Sequence, residues 1–207
     1  MIKSSRRNQR EVVRRDWWIA GIAAAGLVIA AYLAYNKVSG QSALFCTAGS
    51  GCDIVQASRY AVFLGLPTAG WGAALYAAIG GLAFFGLPPG RWLLAFCLSV
   101  AAASFSAYLT YLSVLDIGAT CGYCLASAGI AFALFGLLLA RRPAVTGRRS
   151  WVRTPRLAAL GALTAAVTVV IGAGVFSANP PSSASGYQEA LARHLTGSGA
   201  VMYGAFW

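Results

Sequence analysis

Residues 117–140, IGATCGYCLASAGIAFALFGLLLA, hold no charged residue, and the run opens on Cys121-Gly122-Tyr123-Cys124. An uncharged apolar stretch of roughly 20 residues reads as a membrane-spanning helix. Two cysteines three apart at a helix start share one face. The helix N-terminus there favours an anion and so a thiolate, which is a redox geometry. A membrane helix with a dithiol at its mouth is the unit from which the rest is read.

Charged residues are also missing from 60–90, 92–115 and 157–188, and they make up only 10% of the 207-residue chain. A soluble domain carries about a quarter. The expected fold is an all-α membrane protein with five transmembrane helices, at roughly 17–38, 66–87, 92–114, 121–140 and 157–177. The first span is longer than a signal-peptide core and no small-residue cleavage site follows it, so it is expected to persist as a helix. Trp17 and Trp18 suit its interface.

Basic residues orient the spans. Lys3, Arg6, Arg7, Arg10, Arg14 and Arg15 precede the first, Arg91 lies between the second and third, and Arg141, Arg142, Arg148, Arg149, Arg153 and Arg156 lie between the fourth and fifth. With five spans these segments share one side. It holds thirteen of the 16 basic residues, against Lys37, Arg59 and Arg193 opposite. The positive-inside rule makes residues 1–16 a cytoplasmic arm and puts the C-terminal tail outside. The net charge of +11 is then a topology signal with lipid headgroups as neighbours, and nucleic acid is not an expected partner.

A second pair, Cys46 and Cys52, sits in the long loop after the first span. Both pairs fall on the side where disulfides persist. Within that loop, Cys52 to Leu64 suits a short surface helix, ended by Gly65-Leu66-Pro67. Dinucleotide and phosphate-loop motifs are absent from the sequence, so a lipid-soluble electron carrier such as a quinone suits a dithiol at the hydrocarbon edge. A structural disulfide in either pair, or zinc on all four cysteines, are the alternatives; the gap between Cys46 and Cys52 is wider than usual zinc spacing, and no metal site is expected. Cys97 reads as a small buried apolar residue and His194 as a surface histidine. Asp53 and Asp116 lie near the pairs, as surface carboxylates or, for Asp53 in particular, as a proton-handling group. No ionisable residue sits deep in a span, which argues against a proton pump.

The pattern resembles the bacterial vitamin K epoxide reductase homologues. It is carried by Phe45-Cys46, Gly51-Cys52-Asp53, Ser58, Phe63-Leu64-Gly65-Leu66-Pro67 and Cys121-Gly122-Tyr123-Cys124, over about residues 17–177. The other quinone-linked disulfide generator of bacterial membranes has four spans and the two pairs in reverse order. The resemblance implies a bundle of four helices around a quinone of ubiquinone or menaquinone type, with span one or five peripheral. It implies that Cys124 passes electrons to the quinone with Cys121 as its partner. Cys52 then exchanges with Cys121, and Cys46 faces a thioredoxin-like donor. Ser58, Thr68, Trp71 and Leu109 line or neighbour the family's ring pocket. Ala128 stands four residues past Cys124, where the vertebrate enzyme has tyrosine, and Thr68 is near the position of its asparagine.

A plain quinone is therefore expected over vitamin K epoxide. The implied activity is a quinone-dependent thiol oxidoreductase of a bacterial-type plasma membrane, forming disulfides outside the cytoplasm. A reductive epoxide cycle and a non-enzymatic scaffold are the rivals. In the tail, 178–186 reads as a linker, Tyr187 to Leu195 as a short helix and Gly199 to Phe206 as a strand. Val201 to Trp207 resembles the strand leading into the Cys-x-x-Cys of a thioredoxin-like domain, so 187–207 is expected to begin such a domain, truncated here.

Overall fold

A computed structural model describes residues 15–41, 43–44, 46, 49–143, 154–178 and 184–199. Most of the basic arm, Phe45, the centre of the expected linker and the expected strand up to Phe206 lie outside the described residues. Five long helices stand where the five apolar runs lie: α1 (Trp17–Ser39), α3 (Thr68–Phe84), α4 (Pro89–Leu112), α5 (Gly122–Ala140) and α6 (Thr154–Ala178). Two shorter ones accompany them, α2 (Gly51–Ala57) in the loop after α1 and α7 (Ala184–Gly197) in the tail. Four of the helices are long and apolar enough to cross a membrane, namely α1, α4 with its extension to Ile117, α5 and α6. The 17-residue α3 is shorter, at about 25 Å.

α3 starts two residues later than expected because Leu66–Pro67 form a strand, β2, paired antiparallel with β1 (Val62–Phe63). The turn between them puts Leu64 and Gly65 at φ 52° and 79°. Positive φ at both central residues is what a two-residue hairpin demands. The expected surface helix is correspondingly shorter. It ends at Ala57, where the Ser58 hydroxyl turns back onto the Val55 carbonyl at 2.7 Å, and a 3-10 turn follows over Arg59–Ala61.

Helices α1, α3, α4 and α5 form a ring in which each packs on the next, while α6 lies against the outside of α4. The peripheral helix is thus the fifth apolar run. Small residues set the closest contacts, as close helix approach in lipid requires. A Cβ on Gly26 would lie 3.0 Å from both Ile130 and the Tyr76 ring, and one on Gly80 would lie 3.3 Å from Ala23. Trp92 fills the core near the opposite end from the cysteines and donates its indole N–H to the Leu138 carbonyl at 3.1 Å. At that same end Arg141 is ion-paired with Asp16, tying the last turn of α5 to the first turn of α1. Both cysteine pairs lie at the other end.

Gly26→Leu should force α1 away from α3 and α5. Overpacking of this kind costs about 1–3 kcal/mol, and it should lower the melting temperature in detergent. Gly21→Leu, with no neighbour within 4 Å, should leave it unchanged.

Candidate functional site: two cysteine pairs over an apolar cavity

Cys46 and Cys52 are joined in a disulfide, with Cα atoms 5.5 Å apart. Cys121 and Cys124 are thiols. The two pairs meet through Cys52 and Cys121, whose sulfurs are 3.8 Å apart with the Cys121 thiol directed at Cys52. Cys46, Cys52 and Cys121 are buried together with Leu33 and Ala43, and Cys124 packs at the edge of that cluster.

Local structure explains the meeting. Ser50 caps α2 by accepting from the Asp53 N–H, and the Asp53 carboxylate accepts from the Gly49 N–H at 3.1 Å. Cys52 therefore sits in the first turn of a capped helix. That turn rests on the backbone before α5: a Cβ on Gly51 would lie 2.5 Å from the Thr120 carbonyl oxygen. Only glycine permits that approach. The segment leading to Cys46 is pinned from both sides at Leu44. Its N–H donates to the Tyr32 hydroxyl of α1, and its carbonyl accepts from the Tyr123 hydroxyl of α5, each at 2.8 Å.

Cys121 is itself the cap of α5. Its sulfur accepts from the Cys124 N–H at 3.3 Å, the role an Asp or Ser oxygen usually fills. Hydrogen bonding from the Cys124 thiol, aided by the Cys124 and Tyr123 N–H groups, overcomes burial and lowers the Cys121 thiol to about 7. That favours the thiolate at Cys121, the form that attacks a disulfide.

Cys121 and Cys124 also form part of the wall of an apolar cavity of about 150 Å³ enclosed by the four-helix ring and roofed by the loop around Tyr60. Thr68, Trp71 and Leu109 line it as well. Thr68 donates its hydroxyl to the Tyr60 carbonyl at 2.8 Å, and Trp71 its indole N–H to the Phe63 carbonyl at 3.1 Å, so both also hold the roof in place.

Ser58 and Ala128 do not line this cavity. The Ser58 hydroxyl is spent on Val55, and Ala128 is packed among neighbouring side chains while Cys124, Leu125 and Ser127 present their sides of α5 to the space. Asp53 is likewise off the wall, occupied with Gly49.

The structure adds residues that spacing did not suggest. Tyr76 reaches from α3 to α5 beside the cavity, donating to the Ser127 carbonyl at 2.7 Å and lying 2.9 Å from the Ser127 hydroxyl. A tyrosine in the middle of an apolar run is itself a signal, since a buried phenol needs a partner. Tyr60 lines the roof, and its hydroxyl donates to Asp116, which also pairs with Arg59 at 3.4 Å. Burial, then donation to Asp116, pushes the Tyr60 hydroxyl up from its ordinary value. Among the described residues no group of three metal-ligating side chains comes together.

The chain is 37% identical over 199 residues to the thiol-disulfide oxidoreductase LTO1 of Arabidopsis thaliana, an alignment covering 86% of this chain and 53% of that protein. It thus spans about half the length of that relative. Residues 17–139 match the model of the Vitamin K epoxide reductase family. That stretch runs from the start of α1 almost to the end of α5 and contains both cysteine pairs and the cavity's helices, leaving α6 and α7 outside. The chain belongs to the vitamin K epoxide reductase family.

Proposed function

We propose that this protein is a membrane thiol oxidoreductase that forms disulfides outside the cytoplasm and delivers the electrons to a quinone. The observation that carries the reading is the 3.8 Å approach of Cys52 to Cys121, with Cys121 on the wall of the 150 Å³ cavity. Apolar cavities of about that volume admit one six-membered ring. Trp71, Leu109 and Leu125 offer such a ring apolar contact, and Ser127 offers a hydroxyl for one of its oxygens. A quinone of ubiquinone or menaquinone type supplies a sink for two electrons and two protons.

The chain's own steps are two thiol–disulfide exchanges. Starting from a Cys121–Cys124 disulfide, the Cys52 thiolate attacks the Cys121 sulfur and releases the Cys124 thiolate. The Cys46 thiolate then attacks Cys52 and releases the Cys121 thiolate, leaving Cys46–Cys52 oxidised. This end state has the bonding found in the structure. From it Cys124 passes electrons towards the cavity, and the Cys46–Cys52 disulfide accepts electrons from a thioredoxin-like partner. The likeness to a plant thiol-disulfide oxidoreductase supports thiol–disulfide chemistry.

The reading places five helices across the membrane, with α3 shortened by the hairpin. The N-terminus is cytoplasmic and the cysteines are on the outer side of a bacterial-type plasma membrane. The basic residues gathered around the α1 and α5 ends that share the Arg141–Asp16 pair support that orientation. Residues 187–207 would begin a thioredoxin-like domain; of the expected linker 178–186, the first residue belongs to α6 and the last three to α7.

Cys124→Ala in the full chain should abolish reduction of an added quinone by thiols; retained turnover would remove Cys124 from the route. With Cys46–Cys52 oxidised and Cys97→Ala in place, Cys121 alkylation should rise with pH through about 7 and level off above it. Adding Cys124→Ala should move that midpoint upward, since the Cys124 thiol is the largest cause of the shift. Gly51→Ala should wedge α2 off Thr120. In a Cys46→Ala background, formation of the mixed Cys52–Cys121 disulfide, followed by mass spectrometry, should then slow by about 10–100-fold, as expected for an ångström-scale misplacement.

A further inference from the structure

A second, larger cavity lies away from the cysteines. It is an apolar cleft of about 500 Å³ between α4, α5 and α6. Its walls include Ala103 and Ala107 of α4, Phe132 and Phe135 of α5, and Ala162 and Ala165 of α6. The sequence opens it: α6 approaches α4 at Gly161, where a Cβ would touch the Phe96 ring at 3.7 Å, and the alanines beyond withhold side chains from the space.

Three observations on the cleft agree. Its polar lining is concentrated at one end, with Arg142 and Thr154 at the mouth and only Ser104 farther in. The Arg142 guanidinium donates to Thr154 Oγ1 at 3.4 Å, and neither ion pair among the described residues includes it. From Thr154 to Ala165 the cleft follows α6 for about three turns, about 16 Å, which is one leaflet of a hydrocarbon core about 30 Å thick. A one-leaflet apolar slot with a cationic mouth matches one molecule, a lipid with an anionic headgroup.

We infer that the α4–α5–α6 cleft binds an anionic phospholipid, with one acyl chain between the alanines and phenylalanines and the phosphate at Arg142 and Thr154. The site is separate from the thiol chemistry and holds whatever the electron acceptor of the cysteines is. It gives α6, which lies outside the ring of four, a lipid as its second packing partner along the inner half of its length.

The test uses the full chain, purified in neutral detergent and stripped of bound lipid. Phosphatidylglycerol or phosphatidylcholine with identical acyl chains is added, and bound lipids are counted by native mass spectrometry. The wild type should retain one phosphatidylglycerol in preference to phosphatidylcholine. Arg142→Gln should weaken that retention about fivefold, the effect of one basic residue near a lipid surface, and Arg142→Lys should restore it. Ala162→Leu should narrow the slot and release both lipids; if its melting temperature falls sharply, Arg142→Gln decides alone. Equal retention of the two lipids by the wild type would overturn the inference. So would unchanged retention in Arg142→Gln, or displacement of the lipid by an equal concentration of long-chain quinone, which would make the cleft a site for an isoprenoid tail.

Discussion

The contact on which the arrangement depends is the seating of Gly51 against the Thr120 carbonyl. It joins two segments far apart in sequence, the first turn of α2 and the residue before the cap of α5. Because Cys52 follows Gly51 and Cys121 follows Thr120, that one backbone approach sets the distance between the sulfurs. The remaining features of the cysteine end maintain it. Ser50 and Asp53 fix the start of α2, Tyr32 and Tyr123 hold Leu44 between α1 and α5, and the Cys121 cap fixes the start of α5. Thiol exchange needs near-contact and alignment more than it needs extra driving force. The fold supplies these with short polar contacts at a helix mouth, where apolar packing alone would leave the register loose.

The same economy governs the interior. Backbone polar groups inside a bilayer must be satisfied within the protein, and side-chain hydroxyls in the apolar helices follow suit. Ser99, Thr110, Thr164 and Thr168 donate to carbonyls three or four residues earlier on their own helices. Tyr76 and Trp92 instead bond across to α5, at Ser127 and Leu138. Those two bonds tie α3 and α4 to α5 at different depths, one beside the cavity and one near the opposite end. They hold α5, which carries Cys124 and is capped by Cys121, to two other members of the ring.

Much of this was legible in the chain. Missing charges mark the five long helices to within a few residues at most ends, and spacing marks the two cysteine pairs and the capped mouth of α5. The hairpin was not legible, because it depends on Leu64 adopting a positive φ that leucine rarely takes. Its two pairing residues also shorten α3 in a way that apolar composition cannot reveal. Within the site, Thr68, Trp71 and Leu109 fall on the cavity wall, whereas Ser58 and Ala128 fall off it. A shift of one residue on a helix turns a side chain by about 100°, so Ser127 faces Tyr76 and Ala128 packs elsewhere. For Ser58 the deciding factor is competition: its hydroxyl ends α2 by bonding Val55, and that local bond removes it from the cavity.

The two ends of α6 show why the ring can host chemistry at one end and a broad cleft at the other. Near its C-terminal end Phe176 packs edge-on against Tyr60 at 5.1 Å and Phe63 at 5.6 Å, and stacks on Tyr108 at 6.4 Å; Gly172 lets Phe105 and Tyr108 approach. The roof over the small cavity is therefore braced from outside the ring by a helix that contributes nothing to its lining. Toward its N-terminal end α6 is held by the buried Leu157 and the close pass of Gly161 on Phe96, with alanines between the two anchors. Aromatic rings brace the roof of the small cavity at the cysteine end. Small residues leave the cleft open at the other end, because alanine and glycine on α6 project too little to fill the space between α4 and α5.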